Sequence, residues 1–242
     1  MIKTALIAGG SGGIGEGIVK ALIAEGYRVY VPTRVGDNSD RLRSYLGNSE
    51  HLVLLPTDLC VEEEVANLRS AITSEADTLD AVVVSVGSRY FGYRLYRMPR
   101  PDWENSIRDN LTTHYNIQHA FIDMLRSQDR GAYVTLIGPE AESVHSDEGV
   151  VSIMAGAQKM MTRVIAHETR DSKVRVHTVT AHTPVATRSR GENTNPDWID
   201  ATDLGHYVAA LVEGRVPGSD DIMHELRNNN HVASLLKRTP AG

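Results

Sequence analysis

The sequence predicts a doubly wound α/β fold, a parallel sheet with helices on both of its faces. Three observations carry that expectation. Short, β-branched and nearly continuous apolar runs recur along the chain. Longer segments with a helical apolar period separate them. The first run leads straight into a cluster of glycines. Strands buried on both faces read as unbroken apolar runs, and strand–helix alternation builds right-handed βαβ units. A chain of 242 residues is long enough for one such domain, expected here over 1–242.

The expected strands are 5–8, 28–31, 52–55, 81–86, 133–137 and 174–180, with a short last strand at 221–223. Between them, Ile14, Ile18 and Leu22 recur every four residues, and Gly26 stands where that helix would stop. Glu62, Glu63 and Glu64 open a helix over 61–76, because carboxylates favour the positive end of a helix dipole. Segments 103–125, 153–169 and 201–213 are long enough for full helices. Residues 188–199, rich in Arg, Asn, Gly and Pro, lack a period and form a candidate substrate lid. The tail after 225 is expected to fray.

Composition narrows the function. The net charge of −6 argues against nucleic acid as a partner, since phosphate binding needs a basic face. The lone Cys60 excludes an intramolecular disulfide and fits the reducing cytoplasm. No apolar stretch approaches the roughly 18 residues that span a bilayer, and the first ten residues lack the shape of a signal peptide. The ten histidines are scattered without ligand spacing, so no metal is expected. His114 and His119 are five apart and point away from one another on a helix. No Gly-x-Ser-x-Gly elbow of a hydrolase is present. A small-molecule partner is expected, with no membrane partner and a homo-oligomer left open.

The first strand ends in Ala8-Gly9-Gly10-Ser11-Gly12-Gly13-Ile14-Gly15. Glycines at a first β-to-α turn let the backbone turn tightly and approach a pyrophosphate, which the helix N-terminus then holds. Gly9, Gly13 and Gly15 have the G-x-x-x-G-x-G spacing of the short-chain dehydrogenase/reductase superfamily, which the chain resembles over nearly its whole length. The resemblance implies a Rossmann-type domain with Gly9, Ser11, Gly12, Gly13, Ile14 and Gly15 around the dinucleotide. It places Asp58 and Leu59 at the adenine, and Ser85 and Gly87 where the family has Asn-Ala-Gly. Thr183 and Val185 fall beside the nicotinamide, and Thr187 resembles the family Thr after strand six. Asn110 matches the active-site Asn, a scaffold residue with a water contact, and Lys159 the catalytic Lys that orients the nicotinamide ribose. Thr33 stands where an NAD-binding Asp would be, and the following Arg34 suits a 2′-phosphate. NADPH is therefore the expected cofactor.

The same resemblance exposes what is missing. Four residues before Lys159, where the family has Tyr, stands Ala155. Gly138 takes the place of the family Ser, and Ala181-His182 replaces Pro-Gly after strand six. A positioned general acid contributes roughly 10²–10⁴ in rate, so its absence demands a replacement. Three readings follow. Another side chain donates, with His182, His145, Ser143, Tyr93 and Tyr96 as candidates. Or the substrate carries its own acid, as a ketone with a neighbouring phenol does. Or the chain is a cofactor-binding regulator, scaffold or non-redox cyclase. Residues 89–97 hold four aromatics in a chain only 5% aromatic, which suits a flat polycyclic substrate against Tyr93, Tyr96 and His145. The chain resembles the divergent ketoreductases of angucycline (simocyclinone-type) antibiotic pathways. That likeness implies an NADPH-dependent ketoreductase of an aromatic polyketide, assisted by the substrate's phenol.

Overall fold

The computed structural model describes residues 2–34, 36–144, 146–191 and 195–238. In chain order its strands are β1 (Lys3–Ala8), β2 (Tyr27–Thr33), β3 (Leu52–Pro56), β4 (Ala81–Val84), β5 (Ala132–Ile137), β6 (Arg175–Ala181), β7 (Val185–Ala186), β8 (Ile199–Asp200) and β9 (Met223–Leu226). The helices are α1 (Gly15–Ala24), α2 (Asp37–Tyr45), α3 (Glu62–Glu75), α4 (Arg100–Ile107), α5 (Thr113–Ser127), α6 (Gly149–Glu168), α7 (Ala201–Val212) and α8 (Asn229–Lys237). Seven strands form one parallel sheet in the order β3-β2-β1-β4-β5-β6-β9, and β7 pairs with β8 apart from it.

Alternate side chains of each strand point to opposite faces, and the apolar runs fill both. Ala5, Ile7, Val29, Val31, Val83 and Val134 pack on one face with α1 and α7. Leu6, Ala8, Tyr30, Val82, Val84 and Tyr133 pack on the other with α3 and α5. This two-sided burial is why the strands are mostly apolar, with Thr135, His177, Thr178 and Thr180 as buried polar members of β5 and β6.

The expected strands all lie in the main sheet, with the last one shifted to Met223–Leu226. The helix stop at Gly26 holds: its φ is +81°. The segment read as one helix over 103–125 is α4 and α5 joined by a turn of π-helix at Arg108–Thr112. Two helices escape the apolar period. Helix α2 reads DNSDRLRSY, with Leu42 as its fully buried anchor. Helix α8 corrects the frayed tail: Asn228 accepts the His231 N–H as its cap, and Val232 is fully buried. Residues 239–242 lie outside the described residues. The lid segment begins clamped. Arg188 makes two 3.2 Å bonds to the buried Glu16 carboxylate and stacks 4.1 Å over the Tyr45 ring, while 192–194 lie outside the described residues. Among the described residues no helix is long and apolar enough to cross a membrane, and no cluster of side chains could hold a metal ion.

Candidate active site

The order of connection reverses between β1 and β4, the position where open α/β sheets bind ligands beyond the carboxyl ends of their strands. There the Ser85 N–H bonds the Ala8 carbonyl at 2.9 Å. The glycine turn crosses this point with almost no spare room. Gly9 has φ +82°, and a Cβ on it would lie 2.3 Å from the Ser85 carbonyl oxygen. A Cβ on Gly15 would lie 2.1 Å from the Gly9 carbonyl oxygen. Gly12 donates to Gly9 at 3.0 Å and accepts from Glu16 at 2.9 Å, which coils the turn into α1. Helix α1 starts with no side-chain cap, its Glu16 and Gly17 N–H groups bonding the Gly12 and Ile14 carbonyls instead, and the positive end of its dipole faces the turn. A Cβ on Gly13 would meet Thr187 and Ser189 at 3.0 Å, so the segment after β7 closes over the turn.

At the end of β2, Thr33 is buried and Arg34 exposed. Sequence reasoning missed Arg41. It lies on α2, and its Nη2 reaches the Ser11 carbonyl at 3.4 Å, which puts a cation beside the glycine turn. At the end of β3 the Asp58 carboxylate accepts the Cys60 N–H at 3.0 Å, and the Leu59 carbonyl accepts from Asn116 at 3.0 Å.

From the turn a cavity of about 600 Å³ opens across the ends of β4, β5 and β6. Ile14, Ser85, Gly87, Asn110, Thr183 and Val185 line it, as do His182 and the apolar Val86, Ile137, Met154 and Leu204. Asn110 sits in the π-helical turn and holds the chain after β4 from both sides. Its Nδ2 donates to the Ser88 carbonyl at 3.0 Å, and its Oδ1 accepts the Ser88 N–H at 3.2 Å. Under this turn, His114 Nε2–H donates to the Val86 carbonyl at 3.0 Å. Burial lowers the His114 pKa to about 4, so the ring is neutral at pH 7. A family model for short chain dehydrogenases matches residues 3–197.

The chain belongs to the short chain dehydrogenase family. It is 28% identical over 185 residues to an uncharacterized oxidoreductase of Bacillus subtilis, YmfI, across 74% of each chain. It is also 28% identical over 185 residues to the acetoacetyl-CoA reductase of Cupriavidus necator, across 73% of this chain and 72% of that one. Among solved structures, ElxO with NADP bound superposes with a TM-score of 0.82 at 18% identity, over 96% of this chain and 100% of that one.

Within this short chain dehydrogenase the catalytic end departs from the expectations. Val151, Met154, Ala155 and Gln158 present one stripe of α6 to the cavity. Lys159 lies about 100° further round the helix and is turned elsewhere. It pairs with Glu142, and Glu225 stands 3.9 Å away. The lysine expected at the nicotinamide ribose is thus ion-paired with Glu142 and is not in the cavity lining. Its neighbour Gln158 lines the site, donating to the Asn110 carbonyl at 3.0 Å. The sequence sets the aromatic run against the substrate. Tyr93 and Tyr96 are 41% and 74% exposed and lie outside the cavity lining. The Gly92 N–H bonds the Asp147 carbonyl at 2.9 Å, and Tyr93 bridges to Glu148. These ties hold the loop backbone against the turn before α6 and leave the rings outward. Arg89 is the residue of the run that reaches the cavity. His145 lies outside the described residues.

Two acid–base groups do line the cavity. His182 bonds through Nε2 to Glu225 on β9. Glu140, in a short 3₁₀ turn after β5, is only 7% exposed and was not foreseen. One of its oxygens, Oε1, lies 2.9 Å from Arg89 Nη2. The other, Oε2, lies 1.9 Å from where a Cβ on Gly138 would be. The only sequence signal for Glu140 was its position two residues after Gly138, at the end of a buried strand.

Proposed function

We propose that the chain is an NADP(H)-dependent reductase of a bulky, largely apolar ketone, of the aromatic polyketide kind reduced in antibiotic biosynthesis. One observation carries the reading. A cavity large enough for a nicotinamide and a substrate begins at an uncapped helix N-terminus, behind a turn in which Gly9 and Gly15 admit no side chain. The glycine turn and the positive dipole end of α1 suit the pyrophosphate. Arg34 and Arg41 offer their guanidinium groups to a 2′-phosphate, with no acidic residue at the end of β2 to oppose it. Bound NADPH supplies hydride to the carbonyl carbon. Asn110 keeps the Gly87–Ser88 backbone in place along the ligand, and Ala155 frees the volume a tyrosine would fill. The NADP-bound ElxO structure and the acetoacetyl-CoA reductase of Cupriavidus necator support the same chemistry by kinship.

The proton for the new alkoxide comes either from a phenol on such a ketone or from the cavity wall, and the wall holds a carboxyl group at the vacated Ser position. The test is direct. The protein is mixed with NADPH and with α-tetralone or its peri-hydroxy derivative, and loss of the reduced-nicotinamide absorbance is followed. Turnover with either ketone and a clear preference over NADH are expected. Tight NADPH binding with no turnover of any polycyclic ketone would favour the cofactor-binding regulator instead.

A further inference from the structure

The Gly138 and Glu140 pair has a specific geometry. The family resemblance puts a serine at 138, and this chain has none. A Cβ on residue 138 would sit 1.9 Å from Glu140 Oε2 and 3.0 Å from its Cδ. The carboxyl group thus occupies the space in which a side chain at 138 would begin. It lies in the lining of the cavity, is nearly buried, and is tied by its other oxygen to Arg89. Oε2 accepts no hydrogen bond among the described residues. A nearly buried carboxylate costs free energy unless it is paired or used, and here only one of its oxygens is paired.

We propose that Glu140 exchanges the hydroxyl proton of the substrate in this site, in place of the hydroxyl groups absent at 138 and 155. The inference rests on the reductase reading above and names the group that reading left open. In the direction of reduction, the carbonyl carbon receives hydride from NADPH. The carbonyl oxygen takes the proton of the Glu140 carboxylic acid, a new O–H bond forms, and a carboxylate remains. The carboxylate regains a proton from water past the exposed arm of Arg89. In the direction of oxidation the carboxylate takes the alcohol proton as hydride leaves for NADP⁺. The charged and titratable groups around it are Arg89, with Glu148 at 3.2 Å from the same guanidinium, and Arg190 and His182 in the same lining.

Glu140→Gln keeps the size of the side chain and removes the acid. Expected is a fall in α-tetralone turnover of roughly 10²–10⁴-fold, with NADPH affinity by fluorescence titration unchanged within about threefold. The peri-hydroxy ketone brings its own proton donor, so the variant should reduce it with a much smaller loss. A purely structural role for Glu140 would not produce that rescue. An independent readout needs no turnover: infrared difference spectra of the NADPH complex at falling pH should show a protonated carboxyl band that Glu140→Gln lacks. Equal turnover of α-tetralone by Glu140→Gln and wild type overturns the proposal. So does a comparable loss on both ketones together with weakened NADPH binding. A loss seen in His182→Gln but not in Glu140→Gln also overturns it, in favour of the dyad with Glu225. A wild-type chain that binds NADPH yet reduces neither ketone overturns the reductase reading itself.

Discussion

The two ends of the cavity are built differently. The end near α1 is made of backbone: a positive-φ glycine, carbonyl oxygens packed where a Cβ would fall, and an uncapped helix terminus. The end near α6 is made of side chains: Gln158 on the Asn110 carbonyl, Glu140 in the space at Gly138, and His182 against Glu225. A backbone-built site tolerates almost no change, because each glycine is held by contacts a Cβ would break. A side-chain site can trade one polar group for another if the new group reaches the same space. A chain built this way can hold its glycine turn fixed while the side-chain end of the cavity varies.

The sharpest way to break the comparison is at the backbone end. Gly15→Val places branched carbon 2.1 Å from the Gly9 carbonyl oxygen, and overpacking of this kind costs typically 1–3 kcal/mol or more. NADPH affinity should fall by at least about 100-fold, or the chain should fail to fold, as read by titration and urea unfolding. A fully active variant would mean that the turn does not carry the nucleotide.

A second test concerns His114, which supports the same end from below. Its pKa, near 6.5 in the unfolded chain, is lowered to about 4 by burial. The unfolded chain therefore binds the proton first, and stability is lost as the pH falls below the unfolded value toward 4. Between pH 7.5 and 4.5 the wild type should lose about 2–3 kcal/mol more than His114→Gln does, measured by urea unfolding at each pH. Identical pH slopes would show that the ring is already charged in the fold.

The smallest expected effects sharpen the side-chain end. Gln158→Ala removes the donor to the buried Asn110 carbonyl and should cost about 1–3 kcal/mol of stability. Lys159→Ala removes a pair at the edge of the site and should cost no more than about 1 kcal/mol, with NADPH affinity changed by less than about threefold. A larger loss of NADPH affinity in Lys159→Ala than in Gln158→Ala would return the lysine to the cofactor.

Much of the fold was legible in the residue pattern. The apolar runs marked the strands of the main sheet, because strands covered on both faces are mostly apolar, although β6 buries His177, Thr178 and Thr180 as well. Helices α2 and α8 were not legible. Each is anchored by few buried residues, so neither carries a clear apolar stripe. In the site, the glycine turn was visible because its spacing is a backbone constraint written directly into residue identity. On α6 the spacing names Lys159, but spacing locates a helical residue only to within a fraction of a turn. One residue of rotation separates Gln158, in the cavity lining, from Lys159, paired with Glu142.

The order of residues by itself determined the strand–helix alternation and the glycine-rich first turn, since each depends on local chemistry within a few positions. Tertiary structure alone decided which side chains meet around the cavity. Arg41 meets Ser11 across 30 residues of chain, and His182 meets Glu225 across 43. Arg89 meets Glu140 through the packing of two separate loops. Such meetings depend on how helices and loops settle on the sheet, and no periodicity along a single segment encodes them.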